Sequence, residues 1–226
     1  MKVSIVVPCY NEENRIKPFL TSLIQFSKDN LKSYEIIVVN DGSKDKTLDV
    51  LKEFSKDIKL ISYEKNKGKG GAVREGVLSS IGEKVLFIDA DGSIQPDEMP
   101  KMLEKLDSYD VVVGDRASKD SDVNAIALRN ITGKLFNFYV NVLFGYKTWD
   151  NLCGFKGFKK EIAKDLFTNL IAYGWIFDVE LFYKIHKKNY TLYKLPIKWV
   201  HKGDSKIKLL DPFKMFFQLI KLRMKL

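Results

Sequence analysis

Val85-Leu86-Phe87-Ile88-Asp89-Ala90-Asp91-Gly92-Ser93 is the stretch that decides the fold. Four consecutive apolar residues, too few for a helix, read as a strand buried on both faces. The run ends in two aspartates one residue apart, then glycine and serine. A strand that is apolar along its length and acidic at its carboxyl end fits a parallel sheet, which gathers its ligands at that edge.

The same pattern recurs on either side. Val3–Val7 reads as a strand stopped by Pro8, with Cys9-Tyr10-Asn11-Glu12-Glu13 after it. Glu35–Val39 leads into Asn40-Asp41-Gly42-Ser43. Lys59–Tyr63 leads into Asn66-Lys67-Gly68-Lys69-Gly70-Gly71, and Asp110–Val113 into Gly114-Asp115-Arg116. Helical patterns separate them: Glu13–Phe26, with Ile16, Phe19, Leu20, Leu23 and Ile24 on one face, then Asp45–Phe54, Gly70–Ser80 and Pro96–Leu106. Strands alternating with helices predict an α/β protein with a doubly wound, mainly parallel sheet.

The second half is organised differently. Ile126–Phe144 is a long, aromatic helical pattern, and Cys153–Phe158 reads as a strand. Lys160–Asn169 and Val179–Lys187 read as helices, and Leu192–Val200 as one strand. Asp211-Pro212 opens a final helix to Leu226, with proline in its first turn. No repeat or Pro/Gly-rich linker divides the chain. The expected organisation is one domain over 1–210 and a basic amphipathic helix over 211–226.

The 226 residues are 45% hydrophobic and 30% charged, ordinary values for a globular protein with a real core. A net charge of +9 favours polyanionic partners: nucleic acid, anionic lipid or phosphorylated substrates. Two cysteines, Cys9 and Cys153, and two histidines, His186 and His201, make neither a zinc cluster nor a disulfide framework. A reducing, cytosolic compartment fits. Val3–Val7 is too short for a secretory apolar region. The apolar stretch Leu135–Tyr146 falls short of the roughly 20 residues of a spanning helix. The expectation is therefore a protein that lies on a membrane without crossing it.

Chemistry concentrates at the strand ends. Asp89 and Asp91 can share a hard divalent cation, Mg2+ or Mn2+, which takes oxygen ligands and keeps substrate phosphates in its shell. Such a cation neutralises a diphosphate leaving group. The glycines of Lys67-Gly68-Lys69-Gly70-Gly71 allow close backbone approach, with Arg74 and the lysines adding positive charge. The segment lacks the Walker A spacing, which disfavours an NTPase. No Gly-x-Gly-x-x-Gly follows the first strand, which disfavours a dinucleotide fold.

Val6-Val7-Pro8-Cys9-Tyr10-Asn11-Glu12-Glu13, Val39-Asn40-Asp41-Gly42-Ser43 and Asp89-Ala90-Asp91-Gly92 resemble the family 2 glycosyltransferases. Gly114-Asp115-Arg116, Arg129-Asn130, Trp149-Asp150-Asn151-Leu152-Cys153-Gly154-Phe155-Lys156, Trp175-Ile176-Phe177-Asp178-Val179-Glu180 and Trp199-Val200-His201 resemble the dolichyl-phosphate β-glucosyltransferase branch, as does Gly203-Asp204-Ser205-Lys206. The resemblance runs from about Val3 to Lys206. It implies a GT-A fold, an inverting mechanism and a nucleotide-sugar donor, UDP-glucose favoured. The implied donor site comprises Pro8, Tyr10, Asn11, Glu12, Asp41 near the base, Lys69, Asp89, Ala90, Asp91 and Arg116. Asp89 and Asp91 would hold the cation. Related mannosyl enzymes place a glutamine two residues after the second aspartate. Ser93 stands there in this chain, with Gln95 two further on, so the third metal ligand is open.

The implied acceptor is dolichyl or polyprenyl phosphate. A sugar hydroxyl needs a general base to remove its proton. A phosphate monoester, with a second pKa near 6, is largely deprotonated at neutral pH and needs cationic guidance instead. Arg116, Arg129, His201, Lys202 and Lys206 are the candidates, arginine offering bidentate contact. The residues expected to serve catalysis are Asp91, Arg116, Arg129 and Asp150. Asp150 could orient acceptor or sugar, act as a base, or cap a turn. Asp178 and Glu180 are either adjacent to the site or acids at a helix start. Cys153 reads as core packing.

The aromatic run Leu135–Phe144 and the final helix, which interleaves Phe213, Met215, Phe216, Phe217, Leu219, Ile220 and Leu222 with only basic charges, suggest peripheral contact with an anionic membrane. The cytoplasmic face of that membrane is the expected location. A family 2 enzyme acting on polysaccharide or protein is the main alternative. A nucleic-acid-binding module is the remote one; no recognised binding motif supports it, and the acidic strand ends would repel a phosphate backbone.

Overall fold

The computed structural model describes residues 2–124, 127–146, 152–200, 202 and 211–226; the side chains of 123–135 and 211–213 lie outside that description. Nine strands and eight α-helices follow one another among the described residues: β1 (Val3–Cys9), α1 (Ile16–Asn30), β2 (Tyr34–Asp41), α2 (Thr47–Lys52), β3 (Lys59–Tyr63), α3 (Lys69–Leu78), β4 (Lys84–Ile88), α4 (Met99–Lys105), β5 (Val111–Asp115), β6 (Asp122–Asn124), α5 (Ala127–Phe144), β7 (Phe155–Lys159), α6 (Lys160–Thr168), α7 (Phe177–Lys187), β8 (Leu192–Pro196), β9 (Lys198–Val200) and α8 (Asp211–Arg223). A short 3-10 turn, Pro96–Glu98, precedes α4.

The main sheet has seven strands in the order β3-β2-β1-β4-β7-β5-β8. Its two faces carry two separate cores, as a period of two along each strand requires. Ile5, Val7, Ile36, Val38, Leu86 and Ile88 point to one face, where α1 and α4 cover them through Ile16, Phe19, Leu20, Leu23, Met99 and Met102. Val6, Ile37, Val39, Val85 and Phe87 point to the other, against Ala72, Val73 and Val77 of α3, Phe167 of α6 and Phe177 of α7. Gly76 on α3 lets that helix close on the sheet. A Cβ there would lie 3.1 Å from Val39 Cγ2 and would collide with Val6.

The structure departs from the sequence reading at three places. First, β7 runs antiparallel between β4 and β5. All five strands read in the first half still point the same way, so their carboxyl ends share one edge. Second, β1 continues through Pro8 to Cys9. Strand β4 pairs only with Val3–Val6, so β1 has one neighbour rather than two where the proline sits. Third, the expected strand Leu192–Val200 is two strands. β8 pairs with β5, and β9 pairs with β6 in a separate two-stranded sheet. Pro196 cannot donate a ladder hydrogen bond, and the Ile197 N–H goes instead to Ser121 Oγ at 3.1 Å.

In α8, Met215, Leu219 and Leu222 are buried in the second core. Tyr139 of α5 stacks on Phe216 with ring centroids 4.4 Å apart, and Arg223 Nε donates to the Leu143 carbonyl at 3.1 Å. No helix among the described residues is long and apolar enough to cross a membrane.

Candidate active site

Asp41 ends β2, and its carboxylate fastens the glycine-rich segment before α3. Oδ1 accepts from the Lys67 N–H at 2.7 Å and Oδ2 from the Gly68 N–H at 3.0 Å. The carboxylate's lone pairs outnumber these donors, which leaves room for a further partner. Burial raises the Asp41 pKa against the pull of the Lys67 N–H, the Tyr63 hydroxyl and the Gly68 N–H. Asn66 Nδ2 donates to the Asp41 carbonyl at 2.8 Å. Gly42 and Gly68 both have positive φ, +67° and +87°. A Cβ on Gly42 would meet the Glu64 carbonyl oxygen at 2.6 Å, and one on Gly68 the Tyr173 carbonyl oxygen at 2.6 Å. These glycines are therefore set by turn geometry as much as by ligand approach. Arg74 does not face this edge. Its Nε and Nη2 donate to the carbonyls of Phe167 and Thr168 at the end of α6, both at 3.1 Å. The expectation that Arg74 adds charge to the loop is corrected: unpaired carbonyls at a helix end attract a guanidinium.

Lys69 opens α3 and grips Asp89 at the end of β4, its Nζ 2.7 Å from Oδ1 and 2.8 Å from Oδ2. It also lies over the Trp175 ring, 5.6 Å from the centroid. Burial lowers the Lys69 pKa, but Asp89 and then Asp178 outweigh it and hold the ammonium above its ordinary value. Gly154 makes room for Asp89: a Cβ on Gly154 would strike the Asp89 carboxylate, and the Asp89 N–H donates to the Gly154 carbonyl at 3.0 Å. The Cys-Gly-Phe-Lys stretch is thus the floor beneath the first aspartate. Asp91 Oδ1 accepts from the Ser93 N–H at 2.8 Å, which turns the loop and leaves Oδ2 without a protein donor among the described residues.

Two oxygen-donor side chains at one strand end, one of them with an uncommitted oxygen, fit a hard cation that takes its other ligands from diphosphate and water. No cluster of three metal-ligating side chains exists among the described residues. Ser93 cannot be compared with the glutamine of the mannosyl enzymes by its side chain alone: its carbonyl accepts from Val200 N–H at 2.9 Å and ties β9 to this loop. Gln95 Nε2 donates to the Gly92 carbonyl at 2.7 Å, so its amide serves the loop turn.

After β1, Asn11 adopts φ +52°, which asparagine tolerates better than most residues. Its N–H donates to Ser43 Oγ at 3.0 Å, and its Oδ1 accepts from the Lys44 N–H at 2.8 Å, so the β1 and β2 loops are stitched together. Glu12 is buried, and its two carboxylate oxygens receive Arg15 Nε at 2.7 Å and Nη2 at 2.8 Å. Pro8 and Ala90 have buried side chains, and Tyr10 is half-buried beside them. Burial, then Glu12, Asp41 and Asp45, push the Cys9 thiol far up, which makes it an inert packing group. Cys153 is likewise buried and free of disulfide.

Arg116, just past β5, lies over the Trp199 ring at 5.6 Å. Trp199 is on β9, so Arg116 stands on the same side as the Ser93 tie. Arg129 lies in the first turn of α5 with its side chain outside the described residues. Asp150, His201 and Lys206 also lie outside them, while Lys202 is exposed.

Asp178 and Glu180 both lie in the first turn of α7, as acids at a helix start, and both carboxylates are buried and engaged by other segments. Glu180 is fully buried. Its carboxylate accepts from the N–H groups of Ile171, at 2.9 and 3.0 Å, and Ala172, at 2.7 Å, and pairs with Lys184. It thereby fixes the 170–174 segment, whose Tyr173 carbonyl accepts from the Gly71 N–H at 3.1 Å. Asp178 lies 2.8 Å from Lys156 Nζ, both buried, and Lys156 also donates to the Cys153 carbonyl. Burial raises the Asp178 pKa, with Lys156 and Lys69 opposing it. Gly154 and Lys156 are the site-shaping residues that residue-type reasoning did not single out, and for Glu180 it left open the role the buried carboxylate takes here. Their signal was their place in the Cys-Gly-Phe-Lys and Phe-Asp-Val-Glu stretches, but chain separation concealed the contacts.

A seven-stranded, mainly parallel sheet with paired aspartates at its carboxyl edge defines a GT-A glycosyltransferase. The chain belongs to glycosyl transferase family 2, whose profile matches residues 4–167. It is 37% identical over 237 residues to a dolichyl-phosphate β-glucosyltransferase of Dictyostelium discoideum, an alignment covering 97% of this chain and 72% of that protein. It is 34% identical over 237 residues to the Homo sapiens enzyme of that name, covering 96% and 72%. Among solved structures it is similar to glucosyl-3-phosphoglycerate synthase from Mycobacterium tuberculosis in complex with UDP, with TM-score 0.72, 19% identity, and 99% and 79% of the two chains covered. Another structure of that synthase holds Mn2+, UDP and phosphoglyceric acid, with TM-score 0.69 and 19% identity over 97% and 76% of the chains.

Proposed function

We propose that this chain transfers glucose, with inversion, from UDP-glucose to dolichyl or another polyprenyl phosphate at a membrane surface. The observation that carries the reading is the extent of the similarity to dolichyl-phosphate β-glucosyltransferases: it covers 97% of the chain, past the donor half and through the helices of the second half. In this reading Asp41 accepts from the nucleobase, and Tyr10, Asn11 and the backbone around Pro8 and Ala90 line the nucleoside. Glu12, engaged by Arg15, shapes that wall rather than contacting ligand through a free carboxylate.

Asp91 and Asp89 would hold a Mg2+ or Mn2+ ion, which when bound supplies positive charge to the diphosphate leaving group. Lys69 adds a fixed cation beside Asp89. The acceptor phosphate is already anionic, so its oxygen attacks the anomeric carbon without losing a proton to the protein. Arg116, Arg129, His201 and Lys206 would bring it in against the repulsion of the donor, and Asp150 would orient acceptor or sugar. The burial of Asp178 and Glu180 supports this base-free scheme, since neither is available to deprotonate a hydroxyl.

Peripheral contact rests on the faces of α5 and α8 that the cores leave uncovered. Phe138, Val142, Phe217 and Met224 are 63–76% exposed, and α8 and the turn after it carry Lys214, Lys221, Arg223 and Lys225. We place this contact on the cytoplasmic side of an anionic membrane, with no role for nucleic acid. The test supplies UDP-glucose, Mg2+ and a short-chain polyprenyl phosphate and follows sugar into the organic phase. Glucosyl lipid phosphate is the expected product. Transfer confined to saccharide or protein acceptors would replace this reading with the alternative one.

A further inference from the structure

We infer that a cavity between α8 and residues 171–176 seats the phosphate headgroup of an anionic bilayer lipid, at a site separate from the catalytic edge. The inference rests on the membrane contact proposed above. The cavity is an open surface groove of about 210 Å³, lined by Ile171, Tyr173, Gln218, Lys221, Leu222 and Lys225, among others. That is below the roughly 300–1,000 Å³ of ordinary small-molecule sites, and suits a headgroup rather than a whole nucleotide. Gln218 and Lys221 are one helical turn apart on the same flank of α8, and Lys225, in the turn just past the helix end, lines the same cavity. Among the described residues no carboxylate pairs with either lysine. The cavity therefore offers two unneutralised ammonium groups and an amide beside apolar walls.

The division of α8 into three faces argues for a bilayer lipid over a dissolved anion. Met215, Leu219 and Leu222 face the core. Phe217 and Ile220, and Met224 in the turn that follows, face outward and are exposed. The lysine flank lies between these two stripes. With the outward stripe in the acyl region, the lysines stand at headgroup depth. Ile171 and Tyr173, 43% and 44% exposed, continue the apolar rim across the cavity mouth.

The far wall gives the site a consequence. Residues 171 and 172 are held by Glu180, and the Tyr173 carbonyl accepts from Gly71 in the glycine-rich segment. A bound headgroup would thus stiffen the strip of backbone that borders the donor site.

The test compares the full chain with K221Q/K225Q and with K32Q/K56Q, a charge-matched pair of exposed lysines outside α8. Each is mixed with vesicles of phosphatidylcholine alone or with an equimolar share of phosphatidylglycerol, and read by co-sedimentation and amide hydrogen exchange. We expect anionic vesicles to slow exchange at 171–174 in the wild type and in K32Q/K56Q. K221Q/K225Q should lose that protection, and its partition should fall about tenfold or more. Equal loss in both variants, or unchanged protection in K221Q/K225Q, overturns the site. Equal protection by inorganic phosphate alone overturns the lipid assignment. Glucosyl transfer in detergent is measured on the same samples. K221Q/K225Q should keep it, so failure of the headgroup site and failure of the proposed reaction are separate results.

Discussion

The two edges of one sheet use polar residues in opposite ways. At the amino-terminal edge the groups satisfy one another. Ser4 Oγ donates to Glu35 and accepts from the Gly82 N–H, and Glu35 also accepts from the Ile81 N–H. Asp110, at the start of β5, takes the Thr191 N–H and hydroxyl at 3.0 and 2.8 Å and Lys159 at 3.2 Å. At the carboxyl edge the carboxylates hold loops and keep capacity in reserve. Asp41 holds two backbone N–H groups with acceptor capacity left over, Asp91 spends one oxygen, and Asp89 is matched by the fixed cation Lys69. Behind that edge lies a third arrangement, the buried braces Lys156–Asp178 and Glu180, which are closed like the amino edge but shape the carboxyl edge. Saturated polar groups stabilise; unsaturated ones wait for ligand.

Substitutions along this gradient should separate activity from stability. The largest effect on activity is expected from Asp91→Asn. It removes a charge from the proposed cation site while the Asn Oδ1 still accepts from Ser93. Transfer should fall by about 100-fold or more, with the melting temperature nearly unchanged, and Mn2+ binding followed by electron paramagnetic resonance should weaken. A large loss of melting temperature in this variant would break the contrast between the edges.

Next in size is the brace. Lys156→Met leaves Asp178 buried without its cation and should cost about 3–5 kcal/mol in denaturant unfolding. The double variant Lys156→Met/Asp178→Leu removes both charges and should recover much of that loss. It should still turn over more slowly than wild type, because Lys156 also holds the Cys153 carbonyl next to Gly154 and Asp89. Full activity in the double variant would show that the pair does not shape the edge.

Smaller again is Glu180→Gln. It replaces a charged acceptor of two backbone N–H groups with a neutral one and breaks the Lys184 pair, at about 1.5–3 kcal/mol. Because Glu180 acts on Gly71 through the 171–173 segment, KM for the nucleotide sugar should rise more than kcat falls. An effect on kcat alone would place Glu180 closer to the chemistry than its burial allows.

The carboxyl edge was legible in the sequence and the braces were not, for a physical reason. Each strand-end cluster follows its own apolar run, so Asp41, Asp89 and Asp91 could be placed from local periodicity. The braces join residues far apart in the chain, and period-two or helical spacing carries no record of partners. Asp178 and Glu180 are acids at a helix start, as periodicity allowed, but their partners Lys156, Ile171 and Ala172 were not readable from it. Strand β7 was visible as a segment, but its antiparallel insertion between β4 and β5 depends on sheet order, which periodicity does not encode. Strands β6 and β9, of three residues each, are too short to show a period. Arg74 was misplaced because its sequence neighbours are glycines and lysines, while its actual partners are the last carbonyls of α6.

The amino edge supplies the mildest and most specific test, Asp110→Asn. Burial opposes ionisation of Asp110, but the Thr191 N–H and hydroxyl outweigh it, then Lys159, and the pKa lies below its ordinary 3.8. The folded chain then binds fewer protons at Asp110 than the unfolded chain does. Its contribution to stability is full above about pH 4 and is lost as the pH falls through the folded-state value. Asn keeps an oxygen for Thr191 but has no proton to take up in that range. The variant should be less stable than wild type by about 1 kcal/mol at neutral pH, and the gap should narrow as both are acidified. Transfer at neutral pH should be unaffected, since among the described residues no contact links Asp110 to Asp89 or Asp91. A gap that stayed constant down to strongly acidic pH would assign the loss to packing and remove Asp110 from the closed circuit that distinguishes this edge from the other.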